Sequence, residues 1–367
     1  MKLKNLTKKI TATLSAGVVG LSIFFSAPVI AEAGVADAIF GIGSAVLTGS
    51  LQMKVAKQQI DAFNNTSDGR NALYQAFREK YGVNDDPELN SRLKNIMTNL
   101  SNAVSRVDLS IEDKPYLYFV SADESLNAAC GMGHVMMVNT GAFTNLASDD
   151  EIAAIVGHEM GHGQKDHVAK GMKKSINKQM LANVAVSAAG GSTIAGIIGT
   201  IALNNSLAHG DRKQETEADN LAWDYIQHTN YNIGACAAVM QRLAELYGAK
   251  NNSSILNPSD HPDTDKRRDN YANKLYEYSG KHASAKDGVI TINNQTFMTV
   301  AKTDKMSSAE RAFFVLGNLA KAYHEGKNSY TATVTNGAVY LGSQLIITPV
   351  AGDESAEVLA ERLNAIK

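Results

Sequence analysis

Apolar residues recur at helical spacing through the first third of the chain. Leu89, Leu93, Ile96, Met97 and Leu100 share one face of a helix expected over 87–104. Pro87 stands where a first-turn proline is tolerated. A second helix is expected over 71–81. A Gly- and Ala-rich helix over 34–60 is expected to pack on the body or on a membrane surface. The period then shortens: 116–120 and 133–138 are compact, β-prone apolar runs that read as two strands of a small sheet. Ser148 and Glu151 form a capping box, so a helix is expected to begin at Asp149. Residues 180–203 are almost free of charge and long enough to cross a bilayer. Their Asn183, Ser187, Ser192, Thr193 and several glycines favour a buried or surface-lying helical hairpin instead.

The character changes near Gly280. A hairpin is expected around Asn293-Asn294, and an amphipathic helix over 308–325 with Phe313, Leu316, Leu319, Ala320 and Tyr323 on one side. Asn336-Gly337 between two apolar runs is a hairpin turn signal, and a last helix is expected over 354–366. No internal repeat stands out. The expected organisation is a signal peptide over 1–33, one large domain over 34–275 and a small C-terminal α/β domain over 280–367.

With 367 residues, 44% of them hydrophobic, the chain is long enough for both cores. Lys2, Lys4, Lys8 and Lys9 precede an apolar stretch that ends in small residues at Ala31-Glu32-Ala33, with Val29-Ile30-Ala31 as the competing cleavage site; an uncleaved anchor is the alternative. This reads as a secretory signal, so the protein is expected to be exported and periplasmic, with peripheral membrane association an option. Removing 1–33 takes away four Lys and one Glu and moves the formal net charge from −2 to −5. No basic stripe follows, which argues against a nucleic-acid partner. Cys130 and Cys236 are the two cysteines, and one disulfide or two buried thiols are both open at this stage.

His158-Glu159-Met160-Gly161-His162 is an H-E-x-x-H string on the expected helix. Residues four apart sit one turn up on the same face, so two imidazoles can grip one Zn²⁺ while Glu159 takes a proton from water. The plain alternative is two surface histidines beside an ordinary glutamate; the capping box and the apolar Ile152, Ile155 and Val156 speak for a helix with a buried face. A catalytic zinc site needs a third protein ligand. His167 lies about 140° away on a regular helix and reads as structural. Glu215 and Asp219, four apart on a later helical stretch, suit better. Glu215 would be the third ligand, and Asp219 would accept the other imidazole N–H of a ligating histidine. Glu217 lies about 200° around from Glu215 and cannot face the same ion.

The H-E-x-G-H string followed by R-x-x-E-x-x-A-D, from Arg212 to Asp219, resembles the gluzincin zinc metallopeptidases related to the CAAX prenyl protease (HtpX-, Oma- and BepA-like peptidases). Asn127-Ala128, the run Gly133 to Gly141, Tyr231-Asn-Ile-Gly-Ala235 and His261-Pro262-Asp-Thr264-Asp-Lys-Arg267 support the likeness, which covers about residues 70–270. The resemblance implies an α+β fold: a mainly helical zincin-like domain with a small sheet over the H-E-x-x-H helix. It implies one Zn²⁺ per chain on His158, His162 and Glu215, and Glu159 as general base. Arg212 and Asp219 would stand behind the ligands. His261 would lie near the metal, as a transition-state donor or a resting-state ligand. An extended substrate would pair along Gly133, His134, Val135, Met136, Met137 and Val138. The partners implied are protein or peptide substrates in the cell envelope, with misfolded or misassembled proteins as the class. The tail does not follow the family and is a candidate site for envelope proteins. The competing function is an envelope binding or assembly factor that uses this fold as a scaffold around a closed site.

Overall fold

The computed structural model describes residues 49–174, 212–247 and 264–367. The expected signal peptide, the apolar stretch 180–203 and His261 lie outside these residues. Among the described residues the architecture is α+β, mainly helical with three small sheets. Among the described residues no helix is long and apolar enough to cross a membrane.

Helices α1 (Gly49–Asn65), α2 (Ser67–Tyr81) and α3 (Pro87–Val104) come first. Helix α2 starts earlier than its apolar pattern suggests, because the Thr66 side chain caps Gly69 N. Asp86 caps α3, and the face bearing Leu93, Ile96, Met97 and Leu100 is buried as expected. After the short helix α4 (Ser110–Asp113), strands β1 (Leu117–Ser121), β2 (Ala128–Gly131) and β3 (Val135–Asn139) form a sheet of order β1-β3-β2. Strand β3 runs parallel to β1 and antiparallel to β2. The second strand of the expected pair is therefore the middle strand, and β2 is an unforeseen edge.

Helix α5 (Thr140–Asn145) leads into α6 (Asp149–Gln164), which begins at the expected residue with both halves of its capping box formed. Every residue of α6 from Glu151 to Gly163 is buried. It runs through the middle of the molecule, flanked by α3, β2, α7 (Arg212–Gln227) and α8 (Ala235–Tyr247). Helix α9 (Thr264–Tyr278) packs on α8.

The tail contains a duplication that the residue identities hide. Strands β4 (Ala283–Lys286), β5 (Val289–Ile292) and β6 (Gln295–Thr299) form an antiparallel meander followed by α10 (Ser308–His324). Strands β7 (Ala332–Thr335), β8 (Ala338–Leu341) and β9 (Gln344–Ile347) form a second, followed by α11 (Ala356–Ile366). The first turns are Asp287-Gly288 and Asn336-Gly337, all at positive φ as a type I′ hairpin requires. Both middle strands carry a register shift at the same place, after Ile290 and after Val339. Helix α10 packs on β4, β5 and β9; α11 packs on β7, β8 and β6. Each helix thus covers its own meander and the far edge of the other.

One apolar core runs from Leu93 on α3 to Leu363 on α11. Its seam is polar and specific. Asn232 takes Asp150 Oδ1 on its backbone N–H and gives its side-chain amide to Phe314 O and Asn318 Oδ1. A Cβ at Gly234 would collide with Phe313 O, so only glycine allows this approach. The N-termini of α6 and α10 meet through their capping glutamates. Glu151 Oε2 accepts from Ala147 N and Ser148 N, and Glu310 Oε2 accepts from Ser307 N and from Arg242 Nη1 at 3.3 Å. Both carboxyls are fully buried and interact, and their Oε1 atoms have no other partner among the described residues. Two carboxylates in that position repel unless they hold a proton between them. Burial first, then the charge of Glu310, pushes Glu151 up to about 8, and burial raises Glu310 as well.

The folded protein keeps a proton here that the unfolded chain releases in the ordinary carboxylate range. Its stabilising contribution is complete at acid pH and is lost as pH climbs toward 8. Urea melts should therefore show the wild-type midpoint falling between about pH 5 and about pH 8. Glu151→Gln, which carries its own amide hydrogens, should flatten that fall.

Candidate metal centre

The close contact of α6 with α7 builds the site. Gly161 lies where a Cβ would stand 3.0 Å from both Ala218 Cα and Ala218 O. The glycine between the two histidines and the small residue three beyond Glu215 let the helices touch at backbone distance. On the other side Gly163 makes room for two side chains, since a Cβ there would meet Tyr116 Oη at 2.6 Å and Cys130 Sγ at 2.9 Å.

This contact brings together His158, His162 and Glu215, all buried. One ligand atom from each lies within 4.8 Å of the others. His158 Nε2 is 3.1 Å from His162 Nε2 and 3.5 Å from Glu215 Oε2, and His162 Nε2 is 3.3 Å from Glu215 Oε1. Two nitrogens bound tetrahedrally to one Zn²⁺ stand about 3.3 Å apart. Two imidazoles and one carboxylate are a donor set suited to zinc, so the residues fit the ion.

The far side of His158 is tied down. Its Nδ1 lies 2.9 Å from Asp219 Oδ1. Arg267 from α9 grips the same carboxylate in bidentate fashion, Nε to Oδ2 at 2.9 Å and Nη2 to Oδ1 at 2.7 Å, and Tyr271 Oη donates to Oδ1 at 2.9 Å. Burial alone would raise Asp219, but Arg267 and His158 hold it below the ordinary range. For His158 of the metal-free chain, burial and Arg267 lower the imidazole; the hydrogen bonds to Asp219 and Glu215 outweigh them and lift it to about 9. Arg267 Nη2 is also 3.2 Å from His158 Nδ1. An arginine offers only donors, so we read both groups as converging on Asp219 rather than bonding each other.

Glu159 faces β2. Its Oε2 accepts the Cys130 N–H at 3.0 Å, while Oε1 is buried without a hydrogen-bond partner among the described residues. Burial pushes its carboxyl up to about 7. Cys130 and Cys236 are both free and buried, and burial raises both thiols.

Several expectations change. Arg212 is exposed at the start of α7, and the guanidinium behind the ligands is that of Arg267. That arginine closes the H-P-x-T-x-x-R string, which placed it in a motif without revealing its partner. Val135, Met136, Met137 and Val138 cannot pair with an added strand, because β3 is bonded on both sides. Gly133 and His134 form a tight turn at positive φ. The His134 ring lies between Lys114 O and Gly163 O and stacks on Tyr116. The strand with an outer edge toward the site is β2. His167 is not among the ligand atoms, yet its ring touches His162.

Residues 87–273 match the model for Peptidase family M48. The chain is 26% identical over 188 residues to the protein named Metalloprotease LoiP from Escherichia coli (strain K12), covering 51% of this chain and 72% of that one. It is 24% identical over 187 residues to the Putative beta-barrel assembly-enhancing protease of Vibrio cholerae serotype O1, covering 48% of this chain and 37% of that protein. It is 28% identical over 123 residues to the Mitochondrial metalloendopeptidase OMA1 of Arabidopsis thaliana, covering 34% of this chain and 24% of that protein.

Replacing Asp219 by Ala would strand the buried Arg267 guanidinium, a change that typically costs roughly 3–5 kcal/mol. Denaturant melts should show this loss. The double variant Asp219→Leu/Arg267→Met should recover much of it, because no buried charge is left alone.

Proposed function

The chain is a metalloprotease of peptidase family M48, and we propose that it is a zinc-dependent endopeptidase acting on proteins of the bacterial cell envelope. The observation that carries the chemistry is the convergence of His158, His162 and Glu215 beside the buried Glu159 carboxyl, one of whose oxygens has no partner among the described residues. Zinc, when bound, polarises a scissile carbonyl and makes water acidic enough to yield a nucleophile near neutral pH. Glu159 is the general base. With a pKa raised to about 7, it accepts a proton from water and returns it to the leaving amine. Asp219 keeps the His158 proton on Nδ1 and leaves Nε2 for the ion. His261 would supply a hydrogen bond to the developing oxyanion or close the resting site; it lies outside the described residues, and its motif resemblance alone supports it. The outer edge of β2, where Cys130 N–H meets Glu159, is the side an extended substrate would join.

We assign the chemistry to residues 34–275 in a zincin-like arrangement and treat 280–367 as a small unit docked on it. Its role would be to present envelope proteins. Export to the periplasm is supported by the Lys-rich, then apolar, N-terminus, and the reference to beta-barrel assembly in one relative's name, Putative beta-barrel assembly-enhancing protease, fits that reading. Removal of misfolded or misassembled envelope proteins is the physiological task that fits these features.

Glu159→Gln should retain zinc at one ion per chain by metal analysis and lose casein cleavage by about 10²-fold or more. Glu215→Ala should lose both. Retention of full cleavage by Glu159→Gln would remove the assigned base, and retention of stoichiometric zinc by Glu215→Ala would remove the third ligand.

A further inference from the structure

His162 has a second nitrogen to satisfy, and the chain supplies its partner through a break in α6. The helix stops at Gln164, and Asp166 adopts a left-handed φ of 51°. Its carboxylate is held there by Lys114 Nζ and by Asn64 Nδ2. The chain then re-enters a helix at 167, so His167 is swung back against the residue that a continuous helix would have turned it away from. His167 Nδ1 lies 2.9 Å from His162 Nδ1, and His167 Nε2 lies 3.1 Å from Glu217 Oε2 on α7. The His167 ring is buried, whereas the Glu217 side chain is half exposed.

From this geometry we propose that His167 and Glu217 are positioning residues that lock His162 in the tautomer able to bind the ion. The proposal rests on the metal reading given above. If His162 Nε2 is to offer a lone pair beside His158 and Glu215, its proton must sit on Nδ1. That proton points at His167 Nδ1, which accepts it. The proton of His167 then sits on Nε2 and is donated to Glu217. Every hydrogen along the chain has an acceptor. In the reverse arrangement His167 Nδ1–H donates to His162. The His162 proton then occupies Nε2 and blocks the ligand position, while the lone pair on His167 Nε2 faces the Glu217 carboxylate. The negative charge of Glu217 disfavours that state. The two ligating histidines are thus anchored by different routes: His158 directly on buried Asp219, His162 through a second imidazole to a carboxylate at the surface.

Zinc affinity of the purified full-length protein, measured by competition with a chromogenic chelator, tests this. Loss of such an outer partner typically weakens metal binding by about 10- to 100-fold. Glu217→Ala and His167→Phe should fall in that range. Glu217→Gln, whose amide oxygen still accepts from His167, should return to within about threefold of wild type. The thermal midpoint of metal-free Glu217→Ala should match wild type, since the carboxylate is half exposed. Affinities of Glu217→Ala and His167→Phe within about twofold of wild type would overturn the proposal. So would a loss in Glu217→Ala that Glu217→Gln does not recover. Should His167→Phe fail to fold, the two Glu217 variants decide. A wild-type protein that takes up no zinc removes the metal reading first and this inference with it.

Discussion

The contact between α6 and α7 is the constraint on which the site depends. Two imidazoles a turn apart can be written into any helix, but the carboxylate that completes the set arrives from a second helix. It reaches the imidazoles only if the backbones nearly touch. Gly161 against Ala218 provides that approach. A Cβ at Gly161 would press on Ala218 Cα and O at 3.0 Å and push the helices apart by a few tenths of an ångström, which is already as much as ligand geometry tolerates. The small residues inside the two motifs therefore shape the candidate site as directly as His158, His162 and Glu215 do.

Burial of that contact imposes the next requirement. Charges removed from water must be paired and hydrogen-bonded. Asp219 meets this through Arg267, Tyr271 and His158 together. Helix α9 thereby becomes part of the site although it offers no metal ligand. Helix α9 packs on α8, and α8 on α6 and α10, so the core around the site continues into the tail. The glutamates that cap α6 and α10 tie the same parts at the opposite end of the motif helix.

Much of this was legible in the residues. The capping box fixed the start of α6, and four-residue spacing placed His158 with His162 and Glu215 with Asp219. Other features were hidden for physical reasons. Strand β2 reads Ala-Ala-Cys-Gly, with no β-branched or aromatic residue to mark it; its partners, not its propensity, make it a strand. Periodicity excluded His167 because it assumed a continuous helix, and a non-glycine residue at positive φ gives little warning of a break. The duplication in the tail is preserved in turn chemistry and bulge position, while the apolar side chains differ. It therefore becomes visible only when hydrogen-bond register is compared.

That duplication also bears on how the tail is divided among its strands and helices. Because α10 reaches across to β9 and α11 reaches back to β6, neither half closes its own apolar surface. A polypeptide ending shortly before Ala356 would uncover not one meander but parts of both. The halves are thus obligate partners, and the eleven residues of α11, Ala356–Ile366, act as a clasp on the upstream strand β6, Gln295–Thr299. An intact α11 is accordingly a condition for a sealed interior, so proteolytic removal of that helix would have consequences well beyond the lost residues.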